Sequence, residues 1–253
     1  YKDDSGFLWT SEKDGFNHIY LYQISGKERR QITKGNWEVT NFYGYDDKNK
    51  VLYFQSNEES PLERNIYRVN IWGKSKKKLS KKSGTNSASF NSNFSYFINT
   101  YSNANLPNDI TLNNNTGEVI KKLKNSESLL GSLSEYELTS KEFFNFKTEQ
   151  GIKLNGWMMK PNNFDESKKY PVLMYVYGGP GSQTVLDSWD RNYMWYQMLC
   201  QQGYIVVSID NRGTGGRGAE FKKCTYKELG KLETIDQIEG AKYVANFRYT
   251  DEN

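Results

Sequence analysis

The chain has 253 residues, of which 36% are hydrophobic and 25% charged, and its formal net charge is +4. That length suits one large domain or two modest ones, and the hydrophobic share is sufficient for a packed core. The mean hydropathy of −0.84, with no apolar run near the roughly 20 residues that a spanning helix needs, argues against a membrane protein. The net charge is too small to indicate nucleic-acid binding.

A repeat runs through the first half of the chain. A strand and the turn after it recur with steps of 47 and then 44 residues, marked by Ile19, Ile66, Ile110, Gly26, Gly73 and Gly117. This period and the short alternating strands are typical of four-stranded β-propeller blades, which bury a face only against neighbouring blades. About three blades are predicted, and three should not close a ring by themselves.

The repeat stops near Lys124, and a different pattern begins. Asn125–Ser140 is predicted to be a linker with a short helical turn. The sequence from Phe143 to Phe164 then predicts a hairpin, because two alternating segments flank a Glu-Gln-Gly turn and Pro161 stops the second segment.

An alternation of strands and helices follows the hairpin. Two apolar runs, Tyr170–Tyr177 and Tyr204–Asp210, are predicted to form central strands, with a helix between them that ends at Gly203. After a glycine-rich loop, Lys231–Phe247 is predicted to be an amphipathic helix. Its predicted apolar face consists of Leu232, Ile235, Ile238 and Val244. This alternation predicts an α/β sheet.

The candidate functional residue is Tyr177. It occupies the last strand-like position before a Gly-Gly-Pro-Gly turn. A buried strand that delivers a phenol to a tight loop is a common way to direct a hydrogen-bond donor at a reacting carbonyl. The residues alone leave two interpretations equally open: a donor to an oxyanion, or a core aromatic beside a loop in which only the glycines matter.

Three segments carry a family resemblance when they are taken in order. They are YPVLMYVYGGPGSQ, SIDNRGTGGRG and LGKLETIDQIEGA, and upstream segments such as SEKDGFNHIYLY and SPLERNIYRV agree with them. Together they resemble the prolyl oligopeptidase family of serine peptidases, and within it the dipeptidyl peptidase IV branch. The resemblance implies a mixed fold: the last blades of a β-propeller in residues 1–128, then the N-terminal part of an α/β-hydrolase domain in residues 129–253.

The resemblance also implies a function. The parent protein would be a serine exopeptidase that releases N-terminal X-Pro or X-Ala dipeptides by Ser-His-Asp acyl transfer, without a cofactor or metal. Tyr177 would stabilise the oxyanion. The partners would be peptides with Pro or Ala at the second position, with a homodimer allowed and a periplasmic or extracellular location. Two alternatives stay open: a tripeptidyl or acylaminoacyl peptidase of the same family, or a non-catalytic propeller–hydrolase protein that binds partners.

The catalytic triad is not visible in this sequence. No G-x-S-x-G nucleophile motif occurs, although such an elbow would carry the serine. The sole histidine, His18, lies in the first repeat, where stabilising a turn is its predicted role. By resemblance, the catalytic Ser, Asp and His follow this chain, and the acidic pair that binds a substrate N-terminus precedes it. The chain is therefore expected to be an internal fragment that hydrolyses nothing by itself.

One glycine pattern and the two cysteines are the candidates for a cofactor or metal site. A G-x-G-x-x-G pattern begins at Gly213, but the dinucleotide fingerprint needs its acid on a second strand, whereas Glu233 and Asp236 fall in a predicted helix. The resemblance implies instead an Asp-x-Arg-Gly turn behind the active site, in which Arg212 anchors backbone carbonyls or a carboxylate. Cys200 and Cys224 lack metal-site spacing; two partly buried thiols are expected, and a disulfide between them stays open.

Overall fold

The computed structural model describes residues 5–251, and the chain separates into two compact units. The first unit comprises the chain up to Ser126 together with Leu186–Ser188 and Gly216–Glu220. The second comprises Glu127–Val185, Trp189–Gly215 and the chain from Phe221 onward.

The first unit contains three antiparallel sheets, in each of which the strands are paired in chain order. The first sheet consists of β1 (Gly6–Ser11), β2 (His18–Gln23) and β3 (Glu28–Gln31). The second consists of β4 (Val39–Asp46), β5 (Val51–Ser56), β6 (Asn65–Asn70) and β7 (Lys77–Lys78). The third consists of β8 (Thr85–Phe90), β9 (Tyr96–Asn103), β10 (Leu106–Asn114) and β11 (Val119–Lys124).

The repeated glycines occupy the same turn in each sheet. Gly26, Gly73 and Gly117 have φ angles of +83°, +74° and +89°, a region that residues with a Cβ rarely adopt. Each glycine N–H donates to the carbonyl three residues earlier at 2.9–3.0 Å. At Gly117 a Cβ would also lie 2.5 Å from the Leu79 carbonyl oxygen of the preceding sheet. The repeat therefore reflects both a backbone conformation and a close approach between sheets.

Side chains that alternate along β5 bury both faces of the second sheet. Leu52 and Phe54 join the core shared with the first sheet, including Ile19. Tyr53, which lies between them, joins the core shared with the third sheet, including Phe97. Because successive side chains of a strand point to opposite faces, a run that is apolar at every position is what a strand between two stacked sheets requires.

The second unit contains a mixed sheet with the strand order β12-β13-β15-β14. The elements of this unit are α1 (Glu127–Leu133), β12 (Lys141–Lys147), β13 (Lys153–Met159), β14 (Val172–Met174), α2 (Tyr193–Gln201), β15 (Ile205–Asp210) and α4 (Lys231–Ala245). A short helix between β15 and α4, α3 (Gly218–Lys223), has residues in both units. The strands β12 and β13 form the predicted hairpin, β13 pairs antiparallel with β15, and β14 pairs parallel with β15.

The prediction of two central strands is only half correct. β15 is central and all six of its residues are buried. β14 spans just three residues, is half-buried and lies at the edge of the sheet among the described residues. The Tyr175 N–H still donates to the Val207 carbonyl at 2.8 Å, after which the chain leaves the sheet for the glycine loop. Apolar character alone does not distinguish an edge strand from a central one.

The predicted apolar face of α4 is wrong in part. Val244 is buried, but Ile238 is 51% exposed, and Asp236 and Gly240 lie on the buried face instead. A Cβ at Gly240 would overlap Cδ1 of Ile209 on β15, so the glycine allows the helix to approach the sheet closely. The charge of Asp236 is compensated on this face by the guanidinium of Arg212.

Candidate active-site groove

A groove of about 550 Å³ lies beside the loop that follows β14. Its walls are Met174 at the end of β14, the loop residues from Val176 to Gly179, Asn211 after β15, and residues of α4 between Glu233 and Ala241. Tyr177 borders the groove and is 67% exposed. Its ring is therefore not a packed core aromatic, and its hydroxyl group is available to a group bound in the groove. The oxyanion role of Tyr177 stays a prediction.

The loop after Tyr177 is tied to the second glycine loop by backbone hydrogen bonds. The Gly181 N–H donates to the Gly213 carbonyl at 2.8 Å, and the Gly215 N–H donates to the Ser182 carbonyl at 2.8 Å. Gly178 turns the chain with a φ of +64°. These hydrogen bonds hold the two glycine loops together at the carboxyl ends of β14 and β15. Open α/β sheets bind their ligands at this edge.

Asp210, the last residue of β15, holds the far end of the Tyr177 loop. Its buried carboxylate accepts hydrogen bonds from the Thr184 N–H at 2.9 Å, the Thr184 hydroxyl at 2.8 Å and the Val185 N–H at 3.0 Å. Sequence reasoning missed this role. The available signal was an acidic residue at the end of an otherwise apolar buried strand, since such a charge needs donors.

Asn211, the next residue, is fully buried and connects the loop to α4. Its Nδ2 donates to the Gly178 carbonyl at 3.2 Å and to the Arg212 carbonyl at 2.6 Å. Its Oδ1 accepts a hydrogen bond from Gln237 Nε2 at 2.9 Å. No pattern in the sequence distinguished Asn211, because Gln237 and Gly178, which it connects, lie 26 and 33 residues away.

Arg212 anchors a carboxylate, one of the two roles that the resemblance implied. Its guanidinium contacts both oxygens of the fully buried Asp236 at 2.6–3.1 Å, and its backbone N–H donates to the same carboxylate at 2.7 Å. Nη1 also donates to Gln150 at 2.8 Å. The hydrogen bonds that Arg212 donates to Asp236 raise the pKa of Arg212 above its ordinary value. Asp236 is thereby committed to Arg212, so it is not available as the acid of a dinucleotide site.

His18 stabilises the turn that follows the first sheet, in keeping with the predicted role. It is fully buried, with Nδ1 3.1 Å from the Thr33 hydroxyl and Nε2 2.9 Å from the Gly35 carbonyl. A carbonyl only accepts, so Nε2 donates to Gly35, while Nδ1 shares a hydrogen bond with the Thr33 hydroxyl, whose oxygen also accepts the Ile19 N–H. Both ring nitrogens are occupied, which leaves no lone pair for a general base.

The two cysteines are both free thiols. Cys200 is buried and Cys224 is exposed, so the expectation of two partly buried thiols is wrong for both. Burial raises the pKa of Cys200 to about 12, which keeps this thiol protonated. In the part of the chain that the structure describes, no helix is long and apolar enough to cross a membrane.

Two family models match separate parts of the chain. The model of the dipeptidyl peptidase IV N-terminal region matches residues 1–108, and the model of the prolyl oligopeptidase family matches residues 191–253. Among curated proteins, dipeptidyl peptidase 4 of Trichophyton rubrum is 34% identical over 98% of this chain and 32% of its own length. Probable dipeptidyl-aminopeptidase B of Arthroderma gypseum is 35% identical over 99% of this chain and 28% of its own length.

A solved structure agrees with these matches. The crystal structure of Porphyromonas gingivalis dipeptidyl peptidase 4 is 44% identical, with a TM-score of 0.92, and the match covers 97% of this chain and 35% of that one. The chain thus spans about a third of the length of the relatives that it matches. The expected fold, propeller blades followed by the N-terminal part of an α/β-hydrolase domain, is confirmed.

Proposed function

This chain belongs to the prolyl oligopeptidase family, and from that premise we propose that it is part of a longer serine exopeptidase that releases N-terminal X-Pro and X-Ala dipeptides from peptides. Residues 1–128 are proposed to belong to its propeller domain and residues 129–253 to its peptidase domain. The similarity to proteins named dipeptidyl peptidase 4 along nearly the whole chain supports this activity.

The observation that carries the proposal is the exposed Tyr177 at the rim of the groove. When a serine attacks the substrate carbonyl, a histidine takes the hydroxyl proton and the carbonyl oxygen becomes an oxyanion. The Tyr177 hydroxyl would donate to that oxygen, together with the backbone N–H that follows the nucleophile. A preorganised donor of this kind is worth about 2.7–4 kcal/mol of transition-state stabilisation.

The remaining catalytic groups are proposed to lie in other parts of the longer protein. This chain has no G-x-S-x-G motif, and both ring nitrogens of its sole histidine are occupied. The nucleophile, the base and its aspartate, and the acids that bind a free N-terminus would come from elsewhere. The 253-residue chain alone is therefore expected to leave a Gly-Pro chromogenic substrate intact, and cleavage by the purified chain would contradict this.

The decisive experiment uses the longer protein. We expect it to cleave Gly-Pro and Ala-Pro chromogenic substrates with a free N-terminus and to spare their acetylated forms. Tyr177→Phe should lower kcat by about 10²–10³-fold with little change in KM, because the hydroxyl acts only in the transition state. Cleavage of tripeptidyl or acetylated substrates instead would indicate another specificity of the family. A folded protein with no hydrolysis of any of these substrates would favour a binding protein.

The longer protein is also proposed to form a homodimer, by analogy within its family. Sedimentation of the longer protein at several concentrations tests this point independently of activity. A monomer at all concentrations would contradict the dimer while leaving the proposed reaction intact.

A further inference from the structure

The direction of the Tyr177 side chain is set mainly by its backbone. The ring is 67% exposed, so few neighbours hold it by packing. The residue after it, Gly178, adopts a φ of +64°, and its carbonyl accepts a hydrogen bond from Asn211 Nδ2 at 3.2 Å. A displacement of this peptide would move the phenol hydroxyl with it.

The loop lies directly on the Asn211 side chain. A Cβ at Gly178 would come within 2.7 Å of Asn211 Oδ1, so the glycine permits this close approach. Asn211 itself is fully buried, and its Nδ2 is shared between the Gly178 carbonyl and the Arg212 carbonyl. One amide group therefore joins the Tyr177 loop to the turn that follows β15.

The orientation of the Asn211 amide is determined by its partners. Gln237 Nε2 donates to Asn211 Oδ1 and to the Ile209 carbonyl, each at 2.9 Å. Because a carbonyl accepts only, the Gln237 group that contacts Ile209 must be its NH₂. Asn211 must then present its oxygen to Gln237 and its nitrogen to the loop carbonyls. α4 thereby fixes the donor that holds the loop.

From this geometry we infer that Asn211 is a positioning residue for the oxyanion donor Tyr177. Its side chain acts through the Gly178 peptide and does not itself contact the reacting carbonyl. The inference rests on the proposed function, since it assigns a supporting residue to the same site. A misplacement of about 1 Å can cost on the order of 10²-fold in rate, so partial loosening of the loop should cost about tenfold.

A double-mutant cycle in the longer protein tests the inference. Asn211→Asp keeps the shape and the acceptor for Gln237 but removes the donor to Gly178, and Asn211→Ala removes both. Each variant should lower kcat about tenfold with KM nearly unchanged. In the Tyr177→Phe background, each should lower kcat less than about twofold, because no hydroxyl remains to be positioned. Gln201→Ala, at an exposed amide at the end of α2, is the control and should match the parent protein.

The outcomes of this cycle distinguish a failure of the inference from a failure of the proposed function. A tenfold loss of equal size with and without the Tyr177 hydroxyl would show a merely structural role and overturn the inference. An unchanged kcat in both Asn211 variants would overturn it as well, while the peptidase activity stands. An inactive parent protein would overturn both. Asn211→Asp is nearly isosteric, and its thermal unfolding midpoint shows whether it folds if Asn211→Ala does not.

Discussion

The two units stabilise a buried polar side chain in different ways. In the first unit, His18 bonds to groups 15 and 17 residues away, in the loop that follows β3. In the second unit, Arg212 is charged and bonds to Asp236 and Gln150, which are 24 and 62 residues away. The first arrangement closes a local turn, whereas the second joins a loop, a helix and a hairpin. The Arg212–Asp236 pair thus connects segments that are distant in the chain, whereas the partners of His18 lie on one short stretch of it.

The largest expected effect is the loss of the buried ion pair. Asp236→Ala leaves the Arg212 guanidinium largely buried without its carboxylate, which typically costs about 3–5 kcal/mol. We expect that loss in the free energy of unfolding, measured by denaturant titration of the longer protein. The matched control is Glu228→Gln, which breaks the exposed pair with Lys231 and should change stability by less than about 1 kcal/mol. Equal effects at both pairs would contradict the comparison.

The next effect concerns the repeated turn of the first unit. Gly26 and Gly117 have similar positive φ angles, but a Cβ at Gly26 meets open space, whereas one at Gly117 overlaps the Leu79 carbonyl. Gly26→Ala should cost about 1–2 kcal/mol of backbone strain. Gly117→Ala should cost about 2–4 kcal/mol, because overpacking adds to the same strain. Denaturant midpoints of the two variants measure the difference, and equal losses would exclude the contact between sheets as a cause.

The smallest expected effect on catalysis is that of His18→Phe. An aromatic ring is retained, although it is larger than imidazole, and the Gly35 carbonyl and the Thr33 hydroxyl each lose a partner, which costs about 1–3 kcal/mol for each group left unpaired. The kcat of the longer protein on a Gly-Pro substrate should stay within twofold of the parent value, since this histidine acts as no base. A kcat loss of several orders of magnitude in a protein that is still folded would contradict this and indicate a catalytic role for His18.

The sequence predicted the exposed residue of the site, but it did not predict most of the buried residues that support it. The strand-then-glycine pattern made Tyr177 a candidate, and the family resemblance implied that Arg212 anchors backbone carbonyls or a carboxylate. The roles of Asp210 and Asn211 were not predicted, because their hydrogen-bond donors and acceptors belong to other segments of the chain. The apolar face of α4 was predicted wrongly in part for the same reason, because the burial of Asp236 is explained only by its partner Arg212.

The sequence by itself determined the features that depend on neighbouring residues. Alternation along strands and glycines with positive φ angles are local, so the three sheets and their turns could be read from a period of 47 and 44 residues. The tertiary structure alone decided that β14 is an edge strand, which side of α4 is buried, and how Asn211 holds the Tyr177 loop. These depend on contacts between segments distant in the chain, where burial and hydrogen bonding outweigh local preference.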